Sequence, residues 1–352
     1  MTRIGITGLA LMTLAACDGS GRTTEPLRSP DAPAAAAATQ FTIRNLGTLG
    51  GDTSAANGIN EQGEVVGYSD LSAGVQHAFL WRDGQGLRSL GTLGGAHSRA
   101  RGINDRSEVV GFSEIEPGSA ITRAFLWSEA GGMRSLGTLG GVNSAANAIN
   151  NRGEVVGVSD TRKGDVRGFF LRPGGRMQAL GTLGGAESRA RAINDAGQVA
   201  GFSQTAEGDD HAFLWTSAGG MRDLGTLGGA ASAAFGINQT GDVVGVSETA
   251  EGTEEAFLWT QAEGMRSLGL LGRDPETLAL AATTYRWVVG HTVTDADQIA
   301  LPFLWTPERG LHQLPTLGGH QGQPTSVNEL GLIAGASMTA DGSVRAALWV
   351  AR

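Results

Sequence analysis

The stretch LGTLGG at residues 46–51 opens a unit that recurs along most of the chain. Each copy continues, with local variation, into Ser-x-Ala-x-x-Ile-Asn, then Gly-x-Val-Val-Gly-x-Ser, and then Ala-Phe-Leu-Trp. The last two copies open on the weaker matches LGLLGR and LPTLGG. The copies begin at residues 46, 90, 136, 180, 224, 268 and 314. Their spacing is therefore 44 or 46 residues, a period typical of solenoids and β-propellers.

Four short strand patterns make up each copy. In the first copy they cover residues 54–59, 64–69, 77–81 and 87–93, and turn residues separate them. The turn between the first two patterns reads Asn-x-x-Gly, which suits a type I turn closing a hairpin. No window after residue 40 has a convincing helical period. Four antiparallel strands in about 45 residues match the size of one propeller blade.

The two ends of the repeat region complement each other. The last copy stops after its third strand pattern, near Trp349, whereas the segment FTIRNLGTL from Phe41 supplies a fourth pattern without the first three. We therefore predict an all-β fold. It is a seven-bladed β-propeller of four-stranded antiparallel blades over residues 41–352, with the last blade closed by the N-terminal strand. An open solenoid is the alternative, but it would need atypical capping repeats at both ends.

The tripeptide His-Ala-Phe stands at residues 77–79 and 211–213 and drifts in the other copies. These repeats resemble the bacterial extracellular HAF-repeat family, and the resemblance covers the chain after residue 40. It implies secretion and a repeat fold, and it implies no defined activity.

The N-terminal segment is typical of an export signal. Residues 1–16 contain one Arg followed by a short apolar run, and the sole cysteine follows in Leu-Ala-Ala-Cys17. This motif resembles a lipobox, which predicts lipidation of Cys17 and a membrane contact through the lipid; an ordinary signal with an idle thiol is the alternative. Residues 17–40 then form a flexible tether. We expect a bacterial cell envelope protein, lipid-anchored and facing the extracytoplasmic side, or else a secreted one.

Composition narrows the function classes. A formal net charge of −9 argues against nucleic acid as a partner, and a single Cys excludes a disulfide framework and a multi-cysteine metal site. The loops after the second strand patterns are acidic, but none has the spacing of a calcium-binding loop. We predict no cofactor and no metal site.

The first strand patterns contain the candidate binding residues. Copies two and four read SRAR where copies one and three read SAAN. Spacing of two residues places each arginine pair on one side of its strand, and guanidinium groups bind carboxylates or phosphates bidentately. The alternative is that these arginines bond backbone carbonyls or the Asn of the next blade. The candidate ligand-binding residues, including two histidines from first-strand loops, are Arg99, Arg101, Arg189, Arg191, His97 and His320.

Two recurrent features are predicted to be structural. The Gly-Gly pairs lack the helix that a phosphate-binding loop needs, and glycine suits a crowded turn. The Trp that ends each third strand recurs once per copy, with Arg172 in its place in the third copy, which predicts a core between blades. Trp287 lies outside this pattern and is either exposed or fills a gap in the altered sixth copy.

The sequence predicts a cell-envelope-anchored binding or scaffolding module, with an anionic glycan or a protein as partner. Neither Gly-x-Ser-x-Gly nor His-Glu-x-x-His occurs, and no catalytic residue is predicted. The alternatives are a propeller enzyme acting on carbohydrate or another polyanion, and a purely structural envelope protein.

Overall fold

Short strands make up nearly all regular structure in the computed structural model, which describes residues 40–271, 276–294 and 299–352. This part of the chain contains 28 strands and one 3-10 turn at Ser72–Gly74. The predicted signal peptide, Cys17 and nearly all of the tether lie outside the described residues. Within the described ranges, no helix has the length and apolar character needed to cross a membrane.

The strands form five four-stranded sheets and one eight-stranded sheet, which divides into two groups of four strands joined by a single pair. The groups of four strands are called units below and are numbered in chain order. Unit 1 contains β2 (Ser54–Ile59), β3 (Val65–Asp70), β4 (Gln76–Arg82) and β5 (Gly86–Ser89), and unit 2 contains β6 (Ser98–Ile103), β7 (Val109–Glu114), β8 (Thr122–Ser128) and β9 (Gly132–Ser135). Unit 3 contains β10 (Gly140–Ile149), β11 (Val155–Thr161), β12 (Val166–Leu171) and β13 (Gln178–Ala179), and unit 4 contains β14 (Gly184–Ile193), β15 (Val199–Thr205), β16 (Asp210–Thr216) and β17 (Gly220–Asp223). Unit 5 contains β18 (Gly228–Ile237), β19 (Val243–Thr249), β20 (Glu254–Thr260) and β21 (Gly264–Ser267), and unit 6 contains β22 (Glu276–Ala282), β23 (Val288–Val293), β24 (Ala300–Thr306) and β25 (Gly310–Gln313). Unit 7 contains β26 (Gly318–Val327), β27 (Ile333–Thr339), β28 (Val344–Ala351) and β1 (Phe41–Asn45).

Neighbouring strands within each unit are antiparallel, as the hairpin signals predict. Units 5 and 6 are also joined by one parallel pair between Glu254 and Glu276. Unit 7 takes strands from both ends of the described chain, because β1 pairs with β28 from Phe41 opposite Ala351 to Asn45 opposite Ala347. The prediction of an all-β fold built from four-stranded antiparallel sheets is confirmed.

The hydrophobic core lies between units. One cluster, for example, combines Phe79 and Trp81 of unit 1 with Ala346 and Leu348 of unit 7. The third-strand tryptophans fill these interfaces, as the recurrence predicts. Five of them are at most 6% exposed: Trp81, Trp127, Trp259, Trp305 and Trp349.

One tryptophan assignment was wrong. In unit 3, Val155 pairs with Leu171, whereas the equivalent Val65 in unit 1 pairs with Trp81. Leu171 therefore holds the tryptophan position, and Arg172 comes one residue later. Trp287 is buried in a cluster with Trp349, so it fills space between units 6 and 7.

Serine hydroxyls at the start of the first strands link each unit to the one before it. Ser98 Oγ accepts the Ala78 backbone N–H at 2.9 Å and donates to the Gly91 carbonyl at 2.6 Å. The equivalent N–H donors and hydroxyl acceptors are Ala346 to Ser54, Ala124 to Ser144, Gly168 to Ser188, Ala212 to Ser232, and Ala256 to Thr277. At the remaining interface, between units 6 and 7, Pro302 faces Gly322. Proline has no backbone N–H to donate and glycine has no hydroxyl to accept it, so this link is absent there.

Asparagines at the turn after each first strand form a second set of links. Each side-chain amide donates to the backbone carbonyl of the equivalent residue in a neighbouring unit at 2.9–3.2 Å. These donors and acceptors are Asn60 to Asn104, Asn104 to Asn150, Asn150 to Asn194, Asn194 to Asn238, Asn238 to Thr283, and Asn328 to Asn60. Thr283 lacks the amide, and there the Thr284 N–H donates to Glu329 of unit 7 at 3.0 Å.

The second glycine of each Gly-Gly pair lies where two chain segments approach closely. A Cβ atom placed on Gly51 would lie 2.0 Å from the Leu71 carbonyl oxygen. The Gly51 N–H also donates to the Asp70 carbonyl at 3.1 Å, so the turn before β2 contacts the end of β3. Crowding therefore accounts for glycine here, and the turns before the first strands share a side of the molecule with the loops after the second strands.

Candidate functional site

Each first strand contains a β-bulge, where one residue is left out of the pairing with the second strand. A bulge redirects the side chain of its extra residue. In units 1 to 7 the bulged residues are Asn57, Arg101, Asn147, Arg191, Phe235, Leu280 and Thr325. Each first strand packs against the first strands of the preceding and following units, and β26 packs against β2. The fold therefore brings these seven residues, called the bulge set below, towards one another.

The four predicted arginines, Arg99, Arg101, Arg189 and Arg191, lie on β6 and β14 and are called the arginine cluster below. Arg101 donates to Asn147 Oδ1 at 2.5 Å, and its guanidinium carbon lies 4.6 Å from the centre of the Phe112 ring. Burial, together with the charges of Arg191 and Arg99, lowers the pKa of Arg101 to about 10. The Asn147 contact agrees with the alternative that these arginines bond the Asn of the next blade.

Arg191 has a different environment. Its guanidinium carbon lies 5.3 Å from the centre of the Phe202 ring and 5.7 Å from that of Phe235. Arg191 Nε is buried and has no hydrogen-bond partner among the described residues. Burial, and then the charge of Arg189, lowers the pKa of Arg191 to about 10, so the side chain still carries its charge at pH 7. Arg191 is therefore a partly buried cation with a fully buried Nε, and the described part of the protein leaves its charge largely uncompensated.

The other two arginines are better satisfied. Arg99 donates through Nε and Nη2 to Gln76 Oε1 at 3.0 and 2.5 Å and lies 4.4 Å from the Tyr68 ring centre. Arg189 pairs with Glu187 at 3.0 Å. Among the ion pairs of the described residues, this is the one that supplies a carboxylate to the cluster. The charge of Arg189 also acts on the Asp210 carboxylate, so the negative charges near the cluster lie beside Arg189.

The two candidate histidines differ in position. His97 Nδ1 accepts the Gln76 backbone N–H at 3.1 Å. At the equivalent position of the next unit, Asn143 Oδ1 accepts the Thr122 backbone N–H. His97 therefore lies beside the residue that accepts from Arg99, in a position with a structural role. His320 is exposed but lies within β26 and not in a loop before it, and no hydrogen bond of the described residues joins it to the arginine cluster.

Aromatic rings are the part of the site that sequence reasoning missed. Phe112 lies directly opposite Arg99 in the strand pairing, and Phe202 lies opposite Arg189. The repeat pattern contains a signal for them, because one residue varies after Val-Val-Gly in every second strand. In units 1 to 7 it is Tyr68, Phe112, Val158, Phe202, Val246, His291 and Ala336. The large aromatic residues of this set stand in the units nearest the arginines.

Two further buried polar atoms belong to this second-strand position. Tyr68 Oη and His291 Nδ1 have no hydrogen-bond partner among the described residues. Burial raises the pKa of Tyr68 to about 12 and lowers that of His291 to about 4. Unpaired buried polar atoms are rare in folded proteins and often mark bound water or ligand.

The turns after the first strands carry acidic residues. Glu61, Asp105, Asp195 and Glu329 occupy equivalent positions, and their side chains accept backbone N–H groups from neighbouring units, as Asp105 does from Glu61 at 2.9 Å. Burial raises the pKa of Glu61, and the charges of Asp105 and Glu329 add to this shift. The described ranges contain no group of three or more His, Cys, Asp or Glu side chains arranged to hold a metal.

The chain matches no protein-family model and no curated protein sequence. It is similar to solved structures, including TolB from Acinetobacter baumannii, at 13% identity and a TM-score of 0.53 over 86% of this chain and 68% of that chain. It is also similar to the BP39L lectin from Burkholderia pseudomallei, at 11% identity and a TM-score of 0.51 over 85% of this chain and 96% of that chain. Together with the four-stranded antiparallel sheets, these similarities define the fold as that of a β-propeller.

Proposed function

We propose that this protein is an envelope-anchored binding module: a closed seven-bladed β-propeller that holds an anionic ligand in its central channel. In this proposal the seven first strands line the channel, the bulge set points into it, and the arginine cluster binds the anion. Export, lipidation of Cys17 and membership of the HAF-repeat family belong to the same proposal.

Ring closure is supported by contacts that pass from every unit to the next. The asparagine links run from unit 1 to unit 6, Thr284 connects unit 6 to unit 7, and Asn328 returns to unit 1. Because β1 is hydrogen-bonded to β28 in unit 7 and the chain then continues into β2, the backbone itself also connects the last unit to the first. Such closure leaves few unpaired strand edges, which are otherwise prone to aggregation.

The observation that carries the binding proposal is the pair of partly buried guanidinium groups on Arg101 and Arg191. Neither has a carboxylate partner among the described ion pairs, and burial lowers both pKa values to about 10. A buried charge without an opposite charge destabilises a fold, and perturbed groups of this kind concentrate at binding sites. A bound carboxylate or phosphate would supply the missing negative charge.

Calorimetric titration of the full-length protein in detergent tests this proposal, with sulfate, phosphate and small carboxylates as probes. We expect at least one probe to bind wild type and to lose at least tenfold in affinity in the double variant Arg101→Gln/Arg191→Gln. Arg222→Gln is the matched control, because Arg222 also stacks on an aromatic ring, Trp259, but lies on an exposed outer strand. Equal binding by wild type and the double variant would assign the arginines a structural role.

The membrane anchor has its own test. Metabolic labelling with a radioactive fatty acid should label wild type and leave Cys17→Ser unlabelled, and the variant should leave the membrane fraction. A labelled Cys17→Ser protein would contradict lipidation at this residue.

A further inference from the structure

The bulge set is divided into a polar and an apolar part. Asn57, Arg101, Asn147 and Arg191 come from units 1 to 4, whereas units 5 and 6 place Phe235 and Leu280 at the same position. Both apolar side chains are partly exposed. Large apolar residues at a partly exposed position beside buried cations are the usual composition of a small-molecule site.

Phe235 connects the two parts. Its ring lies 5.7 Å from the Arg191 guanidinium carbon, and together with Leu278 it packs on the cluster of Phe202, Ala233 and Val246. Phe235 therefore places an apolar ring beside the cation, and the Leu280 backbone approaches Gly236, so the bulged residue of unit 6 lies next to that of unit 5. A ligand group that pairs with Arg191 has its next atoms beside this ring.

The polar part of the bulge set is already engaged in links between units. Asn57 Nδ2 donates to the Ala100 carbonyl at 2.7 Å, and Asn147 Nδ2 donates to the Ala190 carbonyl at 2.6 Å. Arg101 is held by Asn147, so Arg191, with its unpartnered Nε, is the cation with the greatest capacity for a new acceptor. Because Nε lies beside one Nη on the guanidinium edge, a carboxylate can accept two parallel hydrogen bonds there.

From this division we infer that the ligand is a small amphipathic carboxylate, in which the carboxylate binds Arg191 and an aromatic or aliphatic body lies against Phe235 and Leu280. This inference rests on the proposed function, since it assigns the ligand class of the same site. It favours organic acids over inorganic anions and over polyanionic glycans, whose hydroxyl-rich bodies gain nothing from an apolar wall.

The experiment compares probes of equal charge and different bodies. Benzoate and hexanoate have apolar bodies, acetate has almost none, and glucuronate has a polar one. Titration of the full-length wild-type protein should give at least tenfold tighter binding of benzoate or hexanoate than of acetate and glucuronate. Sulfate serves as the inorganic reference.

The apolar wall is tested by Phe235→Asn/Leu280→Asn, because Asn is the residue that units 1 and 3 already place at this position. We expect the double variant to lose the preference for benzoate, so that its affinities for benzoate and acetate lie within about threefold of each other. Leu280→Asn alone replaces it if the double variant does not give the wild-type circular dichroism spectrum. Arg191→Gln should weaken binding of all carboxylates.

The outcomes separate the two hypotheses. If sulfate or glucuronate binds as tightly as benzoate, or the asparagine variants keep the preference, the amphipathic ligand is wrong and an anion-binding site remains. If no probe binds, or Arg191→Gln leaves every affinity unchanged, the proposed function fails together with this inference.

Discussion

Replacing Arg191 by methionine should stabilise the protein. Methionine keeps an unbranched side chain of similar length, so Arg191→Met removes the charge with little change in packing. The pKa of Arg191 is lowered from 12.5 to about 10, and each pKa unit corresponds to about 1.4 kcal/mol, so the charged form is disfavoured by about 3–4 kcal/mol on folding. Loss of the contacts with Phe202 and Phe235 offsets about 1–2 kcal/mol of that gain. We expect a net stabilisation of about 1–3 kcal/mol.

Urea unfolding at pH 7 measures this difference as a higher midpoint at an unchanged m value. Arg101→Met is the matched comparison, because it also removes a buried cation but leaves Asn147 Oδ1 without its donor. It should therefore gain less than Arg191→Met. Destabilisation of Arg191→Met by more than about 1 kcal/mol would refute the reasoning, since it would mean that the guanidinium stabilises the fold.

The pH dependence of this difference has a definite sign. For a cation whose pKa is lower in the folded state, the unfolded state binds more protons between the two pKa values, so stability rises with pH in that window. Wild type should therefore recover stability relative to Arg191→Met only above about pH 10, and the difference should be constant from pH 6 to 9. A difference that changes across pH 6 to 9 would contradict the assignment to Arg191.

Three further variants test the links between units and one buried histidine. Pro302→Ala introduces a backbone N–H that faces Gly322 without an acceptor, and it should lower the free energy of unfolding by about 1–3 kcal/mol. Adding Gly322→Ser supplies the acceptor and should recover at least 1 kcal/mol in a double-mutant cycle. Purely additive effects would contradict a missing serine link. Asn150→Ala removes four hydrogen bonds, which join Asn150 to Glu154, Arg152 and the next unit, and should lower the free energy of unfolding by about 3 kcal/mol in urea. A decrease of less than 1 kcal/mol would show that water replaces these bonds. The pKa of His291 is lowered to about 4, so the stability of wild type should fall as the pH drops from 6.5 towards 4. His291→Val, which copies unit 3, does not titrate here. Its stability minus that of wild type should therefore be about 2 kcal/mol larger at pH 5 than at pH 7. An unchanged difference between those two pH values would contradict the buried neutral histidine.

Much of the fold could be predicted because the repeat encodes contacts that are local in each unit. The Asn-x-x-Gly turn, the alternating first strand and the β-rich third strand each determine their own hairpin. The fourth pattern at Phe41 could be matched to the incomplete last copy, and the structure pairs them from Phe41 to Asn45. The misplaced Arg172 shows the limit of this reasoning, because strand register depends on pairing and one residue shifts the assignment.

The site was less predictable for a physical reason. The arginines could be identified from the spacing in SRAR, but their environment depends on second-strand residues that lie opposite them in space. The bulges were not predicted either, since a bulge is a property of the pairing between two strands and not of the composition of one. His97 illustrates a different limit: its position near the arginines could be predicted, but not that its ring takes the position of the Asn143 amide as a link to the third strand.

The alternation of SAAN and SRAR has a structural explanation that sharpens the binding hypothesis. Asparagine at the bulge reaches the backbone of the next unit, as Asn57 does with Ala100 and Asn147 does with Ala190. Arginine at the same position makes no such backbone link among the described contacts, so units 2 and 4 lack a connection that units 1 and 3 possess. Stability alone would favour asparagine in all four units, because it satisfies a carbonyl without burying a charge. Two arginines at positions where a neutral amide fits are what the proposed anionic ligand would require.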